Sequence, residues 1–436
     1  MKSVVEGSGW IGLFVGVAVA PLVFAVIGVQ GPGRGFVTEF SVALGFVGLA
    51  LMGLQFALVA RFRGVAAPFG TDALAQFHRQ IGLVGFVFVV VHVALSAQWE
   101  MVARLPSWDT PWRVRFGVAA LLALVALVTT SIWRRRLRLS YEVWHVLHGL
   151  LAVTCVGTAL VHVLLVDHYI DSRWKQALWL LMTAAFVALL GWVRVAKPLM
   201  LWRRPWTIDK VTPERGRCTT LTMRPSGHRG MSFEPGQFAW FVIDRAPFAF
   251  TQHPFSFSSS AEADGEIEVT VKALGDFTAG VADLTPGTKV YVEGPYGAFT
   301  PDQHEGPGFC FIAGGVGVTP IVSILRTLAD RGDRRPLVAF VADREWEGVT
   351  FREEFECLKD RLDLDIVYVL EHPPPEWSGE TGRIDVATLQ RHLPPGHRRW
   401  QFFICGPNPM MDAMEHALEA LGVPGEHIHT ERFGWV

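Results

Sequence analysis

Hydrophobic positions are distributed very unevenly along this chain. In the first half, six apolar stretches, 10–29, 37–60, 74–98, 114–133, 143–166 and 174–195, each reach the length of a membrane span, because about 20 apolar residues in a helix cross the hydrocarbon core. The pattern predicts six transmembrane helices. From Thr207 it breaks into short β-rich runs at 207–211, 217–223, 237–243, 255–259, 266–272 and 289–293, separated by turn pairs such as Pro235-Gly236 and Asp264-Gly265. Six such runs predict a small antiparallel β-barrel. From Gly308, apolar strands at 309–313, 337–341, 365–369, 401–404 and 427–430 alternate with helical patterns, which predicts a doubly wound α/β sheet. The expected domains are therefore a six-helix bundle at 1–203, a barrel at 204–305 and an α/β lobe at 306–436.

Composition agrees with a membrane part: half of the 436 residues are hydrophobic, mean hydropathy is +0.30 and only 18% are charged. A net charge of −2 offers nothing to a nucleic acid. Charge placement is more telling. Lys and Arg number 12 in the N-terminus and the loops on its side, against 6 in the other three loops, so the positive-inside rule places both termini and the soluble domains in the cytoplasm of a bacterial-type membrane. The first span lacks a basic start and a small-x-small cleavage site, and Pro21 interrupts it; it is expected to be retained. The five cysteines, Cys155, Cys218, Cys310, Cys357 and Cys405, form no CxxC, which argues against zinc, iron–sulfur and disulfide frameworks.

Two histidine pairs stand out inside the apolar half: His78 with His92 and His148 with His162, each fourteen residues apart. On a helix that spacing covers about 21 Å and returns the side chain to within about 40° of its starting direction. His145 lies about 100° from His162, so His148 is the better partner. Spans three and five run the same way, so His78 matches His148 in depth and His92 matches His162. Ionisable residues in a bilayer are costly and mark function, and two facing imidazoles are the axial set of a b-type haem. Interhelical hydrogen bonding is the bland alternative. The small residues Gly82, Gly85, Ala94, Gly149 and Gly157 could leave room for macrocycle faces or simply mark tight helix crossings.

Three motifs follow in the soluble half. HPFSFSS (253–259) joins a strand to hydroxyls and a Pro-fixed backbone, a suitable wall for a flavin ring and its ribityl chain. KALGDFT (272–278) ends a strand and opens a helix, where the N–H groups of 275–278 can hold a pyrophosphate. AGGVGVTP (313–320) follows a strand and precedes a helix, the setting of a dinucleotide loop, although Thr319-Pro320 replaces a third glycine. Cys405-Gly406-Pro407 repeats that logic at the end of the fourth α/β strand.

In this order, behind histidine-paired helices, HPFSFSS, GDFT, EGPYG (293–297), GGVGVTP and CGPNPM (405–410) resemble the ferric reductase and NADPH oxidase family of transmembrane flavocytochromes, whose cytoplasmic part is similar to ferredoxin–NADP reductase. The resemblance implies two haem b groups on His78, His92, His148 and His162, an FAD domain and an NAD(P)H domain. It assigns His253, Pro254, Phe255 and Ser256, with the following Phe257 and Ser258, to the flavin, and Gly275 and Thr278 to its second contact. Gly314, Gly315, Gly317, Thr319 and Pro320 would line the nicotinamide-nucleotide loop, and Cys405, Gly406 and Pro407 would lie beside the nicotinamide. Ser256 stands where the family commonly has Thr. In the terminal ERFGWV, Phe433 is the expected flavin lid, with Trp435 as rival. No calcium-binding loop or regulatory extension is seen, which suggests activity without an activator.

The implied path runs from cytoplasmic NAD(P)H through FAD and two haems to a small external acceptor, either dioxygen, giving superoxide, or ferric iron. Arg104, Arg113 and Arg115 could attract superoxide or an anionic chelate alike. Asp343 suits the ribose of NADH and Arg344 the phosphate of NADPH, with a lean to NADPH. The competing reading is a membrane-anchored NAD(P)H-dependent flavin reductase that serves a partner protein, its histidines merely structural.

Overall fold

The computed structural model describes residues 2–27, 33–66, 69–96, 109–166 and 168–433, which divide into two compact units, Met1–Pro198 and Leu199–Val436. The first unit contains α1 (Lys2–Val26), α2 (Phe36–Leu58), α3 (Thr71–Ser96), α4 (Trp112–Ile132), α5 (Tyr141–Val166) and α6 (Arg173–Gly191). All six are long and apolar enough to cross a membrane. Few side chains of five of them are fully buried, whereas more than half of α2 is. It packs along α3 and also meets α1, α5 and α6, while α4 packs along α5.

With no hydrophobic gain between helices in lipid, close approach depends on small residues. A Cβ on Gly53 would fall 2.0 Å from the Phe186 ring, and one on Gly85 would fall 2.4 Å from the Met52 methyl. Gly85 is thus a crossing residue, whereas Gly149 and Gly157 face open space. The last span runs further than expected. A π-turn, Trp192–Ala196, carries it into a final helix, Lys197–Trp202. There Arg194 meets His145 and Lys197 Nζ donates to the Ala60 carbonyl at 2.9 Å, so cationic side chains continue a helix that apolar periodicity alone ends at 195.

The second unit opens with β1 (Trp206–Glu214), β2 (Cys218–Pro225), β3 (Phe238–Ile243), β4 (His253–Ser256), β5 (Ile267–Lys272) and β6 (Lys289–Tyr296). They form one antiparallel sheet in the order β4-β3-β6-β1-β2-β5. An antiparallel bridge from Phe257 to Val269 curls its two edges together. Trp206, Leu221, Phe241, Phe257 and Val269 fill the interior.

A second, parallel sheet contains β7 (Phe309–Gly314), β8 (Leu337–Asp343), β9 (Leu364–Leu370), β10 (Glu380–Thr381), β11 (Gln401–Cys405) and β12 (Ile428–Thr430), in the order β10-β9-β8-β7-β11-β12. Alternation along β7 sends Phe309, Phe311 and Ala313 to one face, under α7 (Val318–Asp330) and α8 (Arg352–Lys359). Cys310 and Ile312 face the other, under α9 (Val386–His392) and α10 (Asn408–Ala420). The chain moves outward from β7 to β10 and then returns to the other side at β11. The switch point of the fold therefore lies between the C-terminal ends of β7 and β11.

A polar clamp joins the two sheets. Arg326 on α7 donates to the Ser258 carbonyl and pairs with Glu268 of β5 at 2.8 Å and Glu354 of α8 at 2.7 Å. Ser323 Oγ donates to the Ser259 carbonyl at 2.7 Å, and Thr327 Oγ1 accepts from the Ala261 N–H at 2.9 Å. Its hydrogen bonds from Arg326 hold the Glu354 carboxyl below its ordinary value of 4.5. A carboxylate depressed in the folded state adds stability above its unfolded pKa and loses it as pH falls through the folded one. Arg326→Met is therefore expected to cost the soluble unit about 2 kcal/mol, between the values for exposed and buried pairs, and to flatten the fall in thermal stability below pH 4.5. An unchanged melting profile from pH 3 to 7 ( sets the sign) would show that the clamp contributes nothing.

Candidate functional site

In the membrane unit the rings of His78 and His148 face each other across α3 and α5 with centroids 6.3 Å apart, and those of His92 and His162 do so at 6.5 Å. Two imidazoles sharing one metal, with N–metal bonds of about 2.0 Å and about 1.1 Å from nitrogen to ring centre, would place their centroids about 6.2 Å apart. Both pairs fit that geometry. His145 faces Arg194 instead.

The ring nitrogens are oriented for the task. His92 Nδ1 donates to the Ser41 carbonyl at 2.8 Å and His162 Nδ1 donates to the Arg113 carbonyl at 2.7 Å. A carbonyl only accepts, so the proton is on Nδ1 and the lone pair on Nε2, the ligating tautomer. His148 Nδ1 lies 3.1 Å from Ser131 Oγ. Among the described residues no group of three or more His, Cys, Asp or Glu side chains could hold a metal. A metal held between these rings would take two ligands from the described residues, one from each helix. Ser41 and Ser131 carry no sequence signal for this role, and Arg113 stands out in the sequence only as a cation, because a backbone acceptor carries no residue signature. Arg104 lies outside the described residues.

In the soluble unit the two glycine loops meet at the switch point. Gly314 ends β7, and Gly315, with φ +54°, turns the chain into α7. A Cβ on Gly317 would fall 2.2 Å from the Cys405 carbonyl oxygen, and one on Gly314 would fall 2.5 Å from Met410 Sδ. Thr319 Oγ1 donates to the Val316 carbonyl at 2.8 Å, closing the turn, and Pro320 completes the first turn of α7. Lys272 Nζ sits 3.6 Å from the Cβ position of Gly315, bringing a cation to the loop. Cys405 and Gly406 form the opposite wall with Pro407. Burial, with the Glu431 carboxylate nearby, pushes the Cys405 thiol far above its ordinary pKa. Asp343 at the end of β8 accepts the Arg344 N–H at 2.7 Å, leaving the Arg344 side chain exposed.

The flavin motifs converge as well. The His253 ring stacks on Phe277 at 3.6 Å and is nearly parallel to Phe255, so β4 and the GDFT turn share one wall. Ser256 pairs with Phe238 of β3, and Phe433 meets Phe238 edge-on at 5.3 Å. Pro254 lies opposite Trp240 in the same ladder. The helix after Gly275 is a single turn, Asp276–Ala279, and Thr278 Oγ1 accepts the N–H groups of both Leu274 and Gly275 at 2.9 Å. Those two donors build the turn. Phe257 and Ser258 are fully buried: Phe257 stacks on Phe233, and Ser258 accepts from Thr270 and holds Arg326. Trp435 lies outside the described residues.

Comparison with known proteins follows the same division. Residues 44–159 match the ferric reductase like transmembrane component, 210–300 an FAD-binding domain and 311–416 an oxidoreductase NAD-binding domain. Ferredoxin–NADP reductase B of Sorangium cellulosum is 30% identical over 49% of this chain and 90% of its own length. The stachydrine N-demethylase reductase subunit Stc4 of Rhizobium meliloti is 28% identical over 54% of this chain, and the propane 2-monooxygenase reductase component of Rhodococcus jostii is 27% identical over 52%. The chain spans 69% and 62% of those two relatives. A flavohemoglobin from Malassezia yamatoensis shares the fold at a TM-score of 0.50 and 17% identity, over 92% of this chain and 100% of its own. This integral membrane oxidoreductase belongs to the ferric reductase and NADPH oxidase family, and its soluble half is of the ferredoxin–NADP reductase kind.

Proposed function

We propose that the protein moves electrons across the membrane, from cytoplasmic NAD(P)H through FAD and two b-type haems to an external acceptor, dioxygen or ferric iron. The observation that carries this reading is the pair of facing imidazole sets, each at the separation one axial iron requires. When bound, the flavin converts a two-electron hydride donor into single electrons and the haems divide the membrane into short hops. The chain's own part is positional. His78 with His148 and His92 with His162 fix two sites about 21 Å apart along α3, most of the roughly 30 Å hydrocarbon core. The Gly314–Gly317 and Cys405–Pro407 walls define the nucleotide crevice, and Phe433 covers the β3–β4 edge where Ser256 lies. Loop charges support the orientation with both nucleotide-binding lobes in the cytoplasm.

Arg344 is the proposed contact for the 2′-phosphate of NADPH, since the neighbouring Asp343 carboxylate is engaged by backbone. The relatives that are reductase components of monooxygenases favour a second reading, a membrane-anchored reductase that serves a partner protein.

A reduced-minus-oxidised spectrum of the purified protein separates the two: b-type bands support the transmembrane path, and their absence supports the anchored reductase. His92→Leu is expected to retain NAD(P)H-dependent flavin reduction while external acceptor reduction falls at least about tenfold, a barrier change of about 1.4 kcal/mol or more. External activity at the wild-type rate would refute the path. Superoxide dismutase-sensitive cytochrome c reduction identifies dioxygen as acceptor; insensitive ferric-chelate reduction identifies iron. Arg344→Ala should lower kcat/KM for NADPH about tenfold, the worth of one charge-assisted hydrogen bond, and leave NADH unchanged. Equal losses with both donors would remove Arg344 from donor selection.

A further inference from the structure

The membrane unit repeats itself in a way the apolar pattern does not reveal. Ser41 and Arg113 are 72 residues apart, as are Gly45 and Gly117, while His92 and His162 are 70 apart, as are His78 and His148. In each copy a helix carbonyl accepts the imidazole Nδ1–H, Ser41 on α2 for His92 and Arg113 on α4 for His162. The residue four positions after that carbonyl is glycine, and a Cβ on Gly45 or Gly117 would fall 2.9 Å from the same Nδ1. The hydrogen bond requires the ring to lie against the helix backbone, and only glycine leaves that space.

The other histidine level is built differently. His148 Nδ1 meets Ser131 Oγ at 3.1 Å, and that hydroxyl gives its own proton to the Leu127 carbonyl at 2.7 Å. It therefore offers His148 a lone pair, a weaker acceptor than a peptide carbonyl. His78 Nδ1 is buried and has the Gln55 carbonyl as its backbone acceptor, without the short, well-aligned hydrogen bond that His92 and His162 make. One level thus has two short carbonyl bonds behind its ligands, and the other has a longer hydroxyl bond and a poorly aligned carbonyl contact.

A hydrogen bond from the distal ring nitrogen raises the basicity of the ligating one. A more basic axial ligand stabilises the more highly charged, oxidised metal, and hydrogen bonds to the far nitrogen of the ligand are a lever on potential. We infer that His92/His162 is the lower-potential of the two haem sites, and that Gly45 and Gly117 are positioning residues that set this order by admitting the imidazoles to the Ser41 and Arg113 carbonyls. The inference rests on the haem reading proposed above.

The test is a spectroelectrochemical redox titration of the haem bands in the purified, full-length holoprotein. The wild type should titrate in two steps of equal amplitude. His92→Leu should delete the lower step and His148→Leu the higher. Gly117→Ala and Gly45→Ala should each raise or remove the lower step and leave the higher in place, while the surviving step and the flavin content report that the protein is folded. Ser131→Ala supplies an independent readout: it should raise only the higher step. Deletion of the higher step by His92→Leu, a single step shared by both sites, or glycine variants with the wild-type lower step would overturn the assignment. A wild-type protein without haem bands refutes the haem reading itself, whereas two haems in the reverse order refute only this inference.

Discussion

A polar ring nitrogen inside hydrocarbon has no water to turn to, and the arrangement of the membrane unit follows from that constraint. An unpartnered polar group there costs kilocalories, so an imidazole needs an acceptor for its N–H and a use for its lone pair. Helix carbonyls of Ser41 and Arg113 meet the first need for His92 and His162. The second is met across the bundle, where each histidine of α3 faces one of α5. The helices cannot rotate or slide by a residue without breaking both relations, so the histidines fix the register of the bundle as well as two candidate metal positions.

The soluble unit solves a different problem, the approach of backbone to backbone. Adjacent parallel strands β7 and β11 end together, and their following loops converge because Gly314, Gly317 and Gly406 lack the side chains that would hold them apart. Reversal of strand order at this point leaves a crevice above the loops. The Arg326 clamp holds the barrel against α7, which follows the Gly314–Gly317 loop directly. Aromatic contacts among His253, Phe255 and Phe277 give the barrel a continuous wall. Binding surfaces in both lobes therefore come from loops and strand ends carried on rigid sheets.

Much of this was legible in the sequence. Span lengths, the texture change at Thr207 and the alternation after Gly308 gave the architecture, since each reflects a local period that burial enforces. Fourteen-residue spacing and helical phase were enough to bring His148, and not His145, opposite His78. What escaped was defined through space. Gly45 and Gly117 look like any glycine in an apolar helix until the facing ring is present. Two-residue β10 has no period to read, and the π-turn at Trp192–Ala196 is followed by Lys197, whose contact with the Ala60 carbonyl is tertiary. Nor does the flavin-type signature tell that Phe257 and Ser258 turn into the core, or that the Thr278 hydroxyl closes its own turn.

Passage of electrons across the bilayer through the histidine-lined bundle is the proposal on which the rest turns. Proteoliposomes with the nucleotide-binding lobes exposed and a membrane-impermeant electron acceptor sealed inside test it directly, with NAD(P)H added outside. Reduction of the trapped acceptor, dependent on haem, is the result expected. Reduction confined to acceptors on the same side as the nucleotide would contradict it.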